Sequence, residues 1–428
     1  LSFTVDSTHG APVAWIAQRN ALLAAIFAVA CLLAHDRWRR GGARAGPLAA
    51  LVFLACALLS AELGVSTIAL LVAYGLALDP AGWRRGLWAT LPAGALAILW
   101  LALYGALGFG ARACGAYVDP IHSPAIFLGL LPERLAALVM MDLGPSQAIH
   151  LAFEAWPLRV AAQALAWAAA AIVIGVVVAR LRGDHYLRFA TIAFALALAP
   201  IASSIPGDRL LLIASVASSA MIAGTIVALA GDRRRLARVA AALVAIVHLV
   251  LAPIALVASF EPITRYVFGA PIDAVGRELA EPQALAHQSL IVVHAPSVLH
   301  GLQLPGYRAL AGLGAPAFTH VLGSGPGPAL VTRTGPRALE LREPAGFLVD
   351  PTASFYRGVD VPLRTGDTVA TLAYRAEVIE VDGAGRPTLV RFEFTRKLEH
   401  PSLRLVAWDG RDYVDLAPPA IGEAIRLP

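Results

Sequence analysis

Ionisable side chains that could do chemistry stand at five places in the largely apolar first 260 residues. They are Asp6 with His9, Arg19, Glu62, Asp119 with His122, and Asp208 with Arg209. A carboxylate can act as a general base or bind a metal ion, and a guanidinium matches a phosphate through two hydrogen bonds. Ordinary structural roles are the alternative, such as an ion pair between Arg209 and Asp208.

Motifs for several other chemistries are missing from the sequence. It contains no Ser/His/Asp nucleophile motif, no phosphate-cradling glycine loop and no H-E-x-x-H, so hydrolase and nucleotide-driven functions lack support. The three cysteines show neither metal-ligand nor disulfide spacing. No metal site is predicted, and a divalent cation is the one cofactor that the carboxylates could use. The net charge of +5 is too unevenly distributed to indicate nucleic-acid binding.

The elements that must position these side chains are membrane helices. The chain of 428 residues is 58% hydrophobic and only 15% charged, which excludes an ordinary soluble protein for most of its length. Crossing a bilayer takes about 20 apolar residues. Runs near that length lie near residues 12–35, 47–60, 62–78, 87–109, 158–179, 188–204, 210–230 and 239–260. We therefore expect an all-α polytopic bundle of about eight spans over residues 1–260.

Arginines predict how this bundle is oriented. If the runs 47–60 and 62–78 form a hairpin, all the arginine clusters between the spans fall on one face, which the positive-inside rule makes cytoplasmic. These clusters are Arg37 to Arg44, Arg84 with Arg85, Arg180 to Arg188, and Arg233 to Arg238. The start of the chain, the large loop 110–157 and everything after Phe260 then lie on the outer face.

Composition changes near Phe260. From residue 261 to 428 charges return and period-2 segments alternate with Gly/Pro-rich turns, which predicts a soluble, mostly β, α/β domain on the outer side. We expect an amphipathic helix near 271–286 and strands near 289–294, 329–334, 337–342, 368–381, 388–396 and 403–408. In the loop 110–157, amphipathic segments near 126–141 and 146–153 are typical of helices on the membrane surface or of a structural plug.

Two motifs resemble a known family. The stretch from His9 to Phe27, HGAPVAWIAQRNALLAAIF, resembles H-x-E-x-V-A-W-I-x-x-R-x-D-L-L-A-A-x-F of protein O-mannosyltransferase-like, transmembrane-and-tetratricopeptide glycosyltransferases of the GT-C superfamily. The stretch from Ala57 to Val65, ALLSAELGV, resembles the A-L-L-S-K-E-x-G-V element of these proteins. A weaker third match, PGDRLL from Pro206, resembles a P-x-D-R-L-L element of uncharacterised bacterial relatives. The resemblance covers roughly the first 260 residues.

The resemblance implies transfer of a sugar from a polyprenyl-phosphate donor to an acceptor, with a carboxylate as general base. On that basis Asp6, Glu62 and Asp119 are weak catalytic candidates, and His9, Arg19, Arg209 and His122 are substrate-binding candidates. The main acidic residue of such enzymes lies upstream of the His-containing motif, so we expect it before Leu1, on a chain that is truncated at its N-terminus. Partners would be membrane lipid, the lipid-linked sugar and an acceptor that the sequence does not identify.

Departures from the motifs favour a second hypothesis. Ala11, Ala21 and Ala61 stand where the family has Glu, Asp and Lys. The alternative is a catalytically inactive scaffold or envelope-binding protein whose C-terminal domain is the working part. In both hypotheses the protein is expected to be multi-pass in a bacterial cytoplasmic membrane with a periplasmic C-terminal domain.

Overall fold

A computed structural model describes the chain apart from residues 111–113, 153–154, 259, 261–274, 278, 280–284, 350–352, 354 and 359–360. The chain forms two compact units. One consists of Leu1–Ala111 with Tyr117–Ile263, and the other of Arg112–Ala116 with Thr264–Pro428. The first unit is helical and the second is mostly β-sheet.

The helical unit is built from α-helices joined by short 3-10 turns. Its helices are α1 (Gly10–Ala14), α2 (Arg19–Gly41), α3 (Gly46–Ser60), α4 (Thr67–Ala77), α5 (Trp83–Ala106), α6 (Pro124–Leu143), α7 (Ser146–Ala152), α8 (Trp156–Arg180), α9 (His185–Ile201), α10 (Ala214–Ala230), α11 (Arg235–Ile246) and α12 (Ala252–Ala258). Local chemistry sets several boundaries. The Asp184 carboxylate accepts the first free N–H groups of α9, and Gly42 ends α2 at a φ of 62°. A π-helical turn joins α11 to α12.

Four helical segments of this unit are long and apolar enough to cross a membrane, which indicates a membrane protein. They are Ile16–Gly41, Trp83–Ala106, Trp156–Arg180 and Arg235–Ala258. The shorter apolar helices are Gly46–Ser60, Glu62–Ala77, His185–Ile201 and Ala214–Ala230. Helix length therefore does not support the predicted eight spans, because 17 residues rise only about 26 Å and the hydrocarbon core is about 30 Å thick.

Hydrogen bonds connect the ends of the shorter helices α4 and α9 to neighbouring elements. Arg39 in the last turn of α2 donates to both carboxylate oxygens of Asp79, just after α4, at 2.6 and 2.9 Å. At the other end of α4, Ser66 donates to the carbonyl of Ala197 in α9 at 3.3 Å. The residues that follow α9 reach the segment after α5, where Tyr117 and Ser204 form an isolated antiparallel bridge.

Helices α4 and α5 touch through their backbones. A Cβ atom on Gly86 would overlap the carbonyl oxygen of Gly75, and one on Gly75 would meet the Gly86 carbonyl carbon at 2.8 Å. Side chains are therefore absent at both positions because the two helices leave no space for them.

The second unit contains two sheets and one described helix, α13 (Val298–Leu310). Its strands are β1 (Ser289–Val292), β2 (Phe318–Val321), β3 (Ala329–Gly335), β4 (Ala338–Arg342), β5 (Thr368–Ala370), β6 (Tyr374–Val381), β7 (Pro387–Phe394), β8 (Leu403–Trp408), β9 (Tyr413–Asp415) and β10 (Ala424–Leu427). The four-stranded sheet has the order β2-β1-β8-β9, with β1 parallel to both of its neighbours. The antiparallel sheet has the order β10-β3-β4-β7-β6-β5.

Alternation along β1 places its side chains in two cores. Ile291 packs with residues of the six-stranded sheet, whereas Leu290 and Val292 pack with Leu304 of α13 and with Tyr413. The strand therefore lies between two hydrophobic layers, as its continuous apolar sequence indicates.

Most predicted strands are present, with changes in extent. The expected strand 368–381 is divided into β5 and β6, because Thr371 turns the chain and its hydroxyl accepts the backbone N–H groups of Ala373 and Tyr374. Strands β2, β9 and β10 and helix α13 were not predicted. The two segments expected near 126–141 and 146–153 form helices α6 and α7, whereas most of the helix expected near 271–286 lies outside the described residues.

Candidate functional site

Three buried carboxylates lie near one another in the helical unit. Asp6 precedes the 3-10 turn Ser7–His9, Asp142 is in the last turn of α6, and Asp208 begins the 3-10 turn Asp208–Leu210. These turns pack against each other and against α6. The exposed fractions of the three residues are 7%, 2% and 9%. Burying three carboxyl groups costs free energy, so their presence together indicates a candidate functional site.

Asp6 is held by the turn that follows it. One of its carboxylate oxygens accepts the backbone N–H of Thr8 at 2.9 Å and the Thr8 hydroxyl at 2.8 Å. This is the capping geometry expected of an Asp before a helical turn, and it fixes the direction of the carboxyl group.

Asp142 and Asp208 are only partly satisfied. Asp142 Oδ1 accepts a hydrogen bond from the Ser218 hydroxyl of α10 at 2.9 Å. The backbone N–H of Asp208 donates to the side-chain amide of Gln147 at 3.1 Å. Asp142 Oδ2 and Asp208 Oδ1 have no hydrogen-bond partner among the described residues. One oxygen of each carboxyl group is therefore buried without a hydrogen-bond partner.

His9 anchors the N-terminal segment beside these acids. Its Nε2 lies 2.9 Å from the Ser215 hydroxyl at the start of α10, and its ring packs against Phe3 with centroids 4.6 Å apart. Burial lowers the pKa of His9 to about 4, so the imidazole is uncharged at neutral pH. It can form hydrogen bonds there without adding charge.

Burial raises the pKa of all three carboxyl groups. It raises the pKa of Asp6 to about 6, against the lowering effect of the Thr8 hydrogen bonds. Burial and the nearby Asp6 charge together raise the pKa of both Asp142 and Asp208 well above the usual range. A pKa of about 6 leaves Asp6 mostly ionised at neutral pH, whereas burial favours the neutral acid at Asp142 and Asp208.

The remaining predicted site residues lie in more open surroundings. Glu62 is exposed and accepts a hydrogen bond from Tyr104 at 3.0 Å, and Arg19 is exposed at the start of α2. His122 and Asp119 form an exposed pair at 2.5 Å. Arg209 is half-buried, and the described residues, Asp208 among them, give it no ion-pair partner.

The sequence patterns did not indicate Asp142, Ser215 or Ser218 as functional candidates. Asp142 stands alone in the apolar run LVMMDL, and a lone carboxylate in such a run is a usable signal of a buried site. Arg134 of α6 is a further buried ionisable residue, 8% exposed, and donates to the carbonyl of Ala202 at 2.9 Å. Across the described part of the chain, no three His, Cys, Asp or Glu side chains are arranged to hold a metal ion.

No family model matches the chain, and neither a curated protein nor a solved structure is significantly similar to it. The glycosyltransferase resemblance in the N-terminal motifs therefore remains a prediction.

Proposed function

We propose that the chain is a membrane glycosyltransferase that moves a sugar from a polyprenyl-phosphate donor to an acceptor at the outer face of a bacterial cytoplasmic membrane. The observation that carries the proposal is the group of Asp6, Asp142 and Asp208. Three carboxyl groups of unequal acidity provide one proton acceptor and two groups that can bind hydroxyls, which is what sugar transfer requires.

An eight-span arrangement forms part of the proposal. Asp6 precedes the first long span, and Asp142 lies between the second and third, so both belong to the same side of the membrane. Asp208 is close to them, although the helix before it starts beside Arg180 and Arg188. This favours α9 as a crossing and α10 as the return. The bond from Ser66 to Ala197 similarly favours a crossing by α3 and a return by α4.

The orientation of the helical unit in the membrane does not depend on whether the short helices cross it. Two short helices that cross and return leave the chain on the same side as two that do not cross. The arginine clusters then lie on the cytoplasmic side in either case. Residues after the last long span, including the sheet unit, are proposed to be periplasmic, where the unit would help to position the acceptor.

In the proposed reaction an acceptor hydroxyl oxygen forms a bond to the anomeric carbon of the sugar. The bond from that carbon to the phosphate oxygen breaks, and polyprenyl phosphate leaves with the bonding electrons. The hydroxyl proton passes to the Asp6 carboxylate, which is ionised at neutral pH. Asp142 and Asp208 hold sugar hydroxyls through their free oxygens, and neutral His9 bonds to sugar or phosphate.

The leaving phosphate needs positive charge, and Arg209 follows Asp208 directly in the chain. Guanidinium binds phosphate through two parallel hydrogen bonds and would stabilise the charge that develops on the departing group. Arg19 is the further cationic candidate. Its exposed position suits a contact with the lipid phosphate at the membrane surface.

The inactive-scaffold hypothesis is the second candidate, and Ala11, Ala21 and Ala61 at the charged motif positions favour it. In this hypothesis Asp6 does not need to accept a proton. The two hypotheses therefore predict different outcomes when the protein meets a lipid-linked sugar.

Release of polyprenyl phosphate from radiolabelled polyprenyl-phosphate hexoses, with bacterial envelope extract as acceptor, tests the proposal. We expect release by the full-length protein, a loss of more than about 100-fold with Asp6→Asn, and little change with Glu133→Gln, which alters an exposed carboxylate of α6. Equal release by the wild-type and Asp6→Asn proteins would exclude Asp6 as the base. An inert wild-type protein would favour the scaffold.

A further inference from the structure

The sheet unit contains a second buried pair of ionisable residues, His294 and Glu343. Their side chains are 2% and 6% exposed, and His294 Nε2 lies 3.7 Å from Glu343 Oε1, beyond hydrogen-bonding distance. His294 Nδ1 and Glu343 Oε1 have no hydrogen-bond partner among the described residues. Burying these two atoms without a hydrogen-bond partner costs free energy, which indicates that the pair binds a ligand or takes part in a reaction.

The pair lies where parallel sheets usually bind ligands. His294 is the second residue after β1, at the carboxyl ends of the parallel strands β2, β1 and β8. The loop after β2 is held to the chain beyond β1, because the Ala295 N–H donates to Gly323 and the Gly325 N–H donates to Ala295. This backbone is therefore fixed around the end of β1.

Glycine at position 323 lets the carboxyl group enter this loop. A Cβ atom there would overlap Glu343 Oε1. The next residue, Ser324, donates its backbone N–H to Glu343. Gly323 therefore leaves space for the Glu343 carboxyl group, and the Ser324 N–H orients it. No described cation neutralises this buried acid.

His294 and Glu343 line a cavity of about 150 Å³, a volume that accommodates a molecule of roughly benzene size. The rest of its lining is apolar or small, namely Gly325, Pro326, Gly327, Pro328, Pro344, Ala345, Gly346 and Val349. Neither Arg nor Lys occurs among the described residues that line it. An anion would thus meet a carboxyl group and no positive charge, whereas a cation with a small apolar body would fit both the charge and the walls.

We propose that this cavity binds a small organic ammonium ion, with Glu343 as its counter-ion and His294 as a hydrogen-bond acceptor. The ammonium N–H groups supply the donors that the two side chains lack, and the alkyl part contacts the prolines and Val349.

Protonation of the pair makes this binding depend on pH. Burial raises the pKa of Glu343 to about 8 and lowers that of His294, and these are the only titratable groups among the described residues that line the cavity. The imidazole is therefore neutral above pH 7 and does not repel a cation. Glu343 must lose a proton to act as a counter-ion, so binding should tighten about tenfold from pH 7 to pH 9.

Ethylammonium chloride is a suitable probe because it stays protonated at both pH values. Saturation-transfer NMR on the full-length protein in a non-ionic detergent would measure its affinity. We expect millimolar binding at pH 9, about tenfold weaker binding at pH 7, and no binding of ethanol, the uncharged analogue of similar size.

Two substitutions and a control locate the site. Glu343→Gln should weaken binding at pH 9 at least tenfold. His294→Gln should weaken it severalfold and keep the pH dependence. Glu393→Gln, on an exposed carboxylate of β7, should change nothing. Absence of wild-type binding at pH 9, or equal affinities at the two pH values, would overturn the proposal even if Glu343→Gln failed to fold.

Discussion

Neighbouring serines on α10 show how differently two buried hydroxyls can contribute. Ser218 donates to Asp142 and to the carbonyl of Ser215, whereas the Ser219 hydroxyl has no hydrogen-bond partner among the described residues. Both residues are buried on the same helix. The first therefore stabilises a carboxyl group, and the second carries an uncompensated desolvation cost.

Alanine substitutions should separate these two roles. Ser218→Ala leaves both oxygens of Asp142 without a described partner and should destabilise the helical unit by about 1–3 kcal/mol. Ser219→Ala removes an unpaired hydroxyl and should be neutral or slightly stabilising. Thermal unfolding of the detergent-solubilised protein measures both. Equal losses for the two variants would show that the bond to Asp142 contributes nothing.

Residue types alone indicated part of this site. Asp6 and His9 stood out in the sequence because ionisable groups beside an apolar run are expensive, and the fold places them near Asp208. Asp142 was missed because the pattern of α6 indicates only an amphipathic helix. Which of its polar residues faces inward depends on how α6 packs against α10 and the N-terminal turns, and periodicity cannot specify that.

At the scale of elements, helices were easier to predict than strands. Each apolar run became a helix because 11 or more apolar residues satisfy their backbone most readily in that form. Strands of three or four residues, such as β2, β9 and β10, form only through their partners, and their short patterns do not distinguish them from loops. Asp382 and Gly383 lie in the turn between β6 and β7, where Gly385 is the glycine with positive φ.

Contact between α4 and α5 gives a test at this scale. Gly86→Ala forces the two helix backbones apart and should cost about 1–3 kcal/mol. Gly94→Ala, two turns further along α5, has free space around its Cβ and should be neutral or add up to about 1 kcal/mol through helix propensity. If both variants have the same melting temperature, the backbone contact does not stabilise the unit.

The whole molecule keeps a buried acid of raised pKa in each unit, Asp6 in one and Glu343 in the other. An acid whose folded pKa is raised takes up protons on folding. The stability that it contributes is therefore present at low pH and lost as pH rises from the unfolded to the folded pKa. For Asp6 the window runs from 3.8 to about 6, and for Glu343 from 4.5 to about 8.

Uncharged replacements should remove this pH dependence in each unit separately. Relative to the wild-type protein, Asp6→Asn should gain about 2 kcal/mol between pH 4 and 7, and Glu343→Gln about 4 kcal/mol between pH 5 and 9. Hydrogen exchange of peptides from α10 and from β4 assigns each gain to its unit. Variants whose advantage did not grow with pH would refute the raised pKa values of Asp6 and Glu343.

If the short helices α3, α4, α9 and α10 cross the membrane as proposed, they have a consequence for the surrounding lipid. A helix of 17 residues falls about 5 Å short of a typical hydrocarbon core, and bilayers adapt to such mismatch by thinning. Lipid phosphates beside the α9–α10 turn would then sit deeper than elsewhere in the leaflet, at the level of Asp208. The protein would thus thin the bilayer around it and bring a lipid headgroup close to the carboxyl groups. It would also favour membranes with shorter acyl chains.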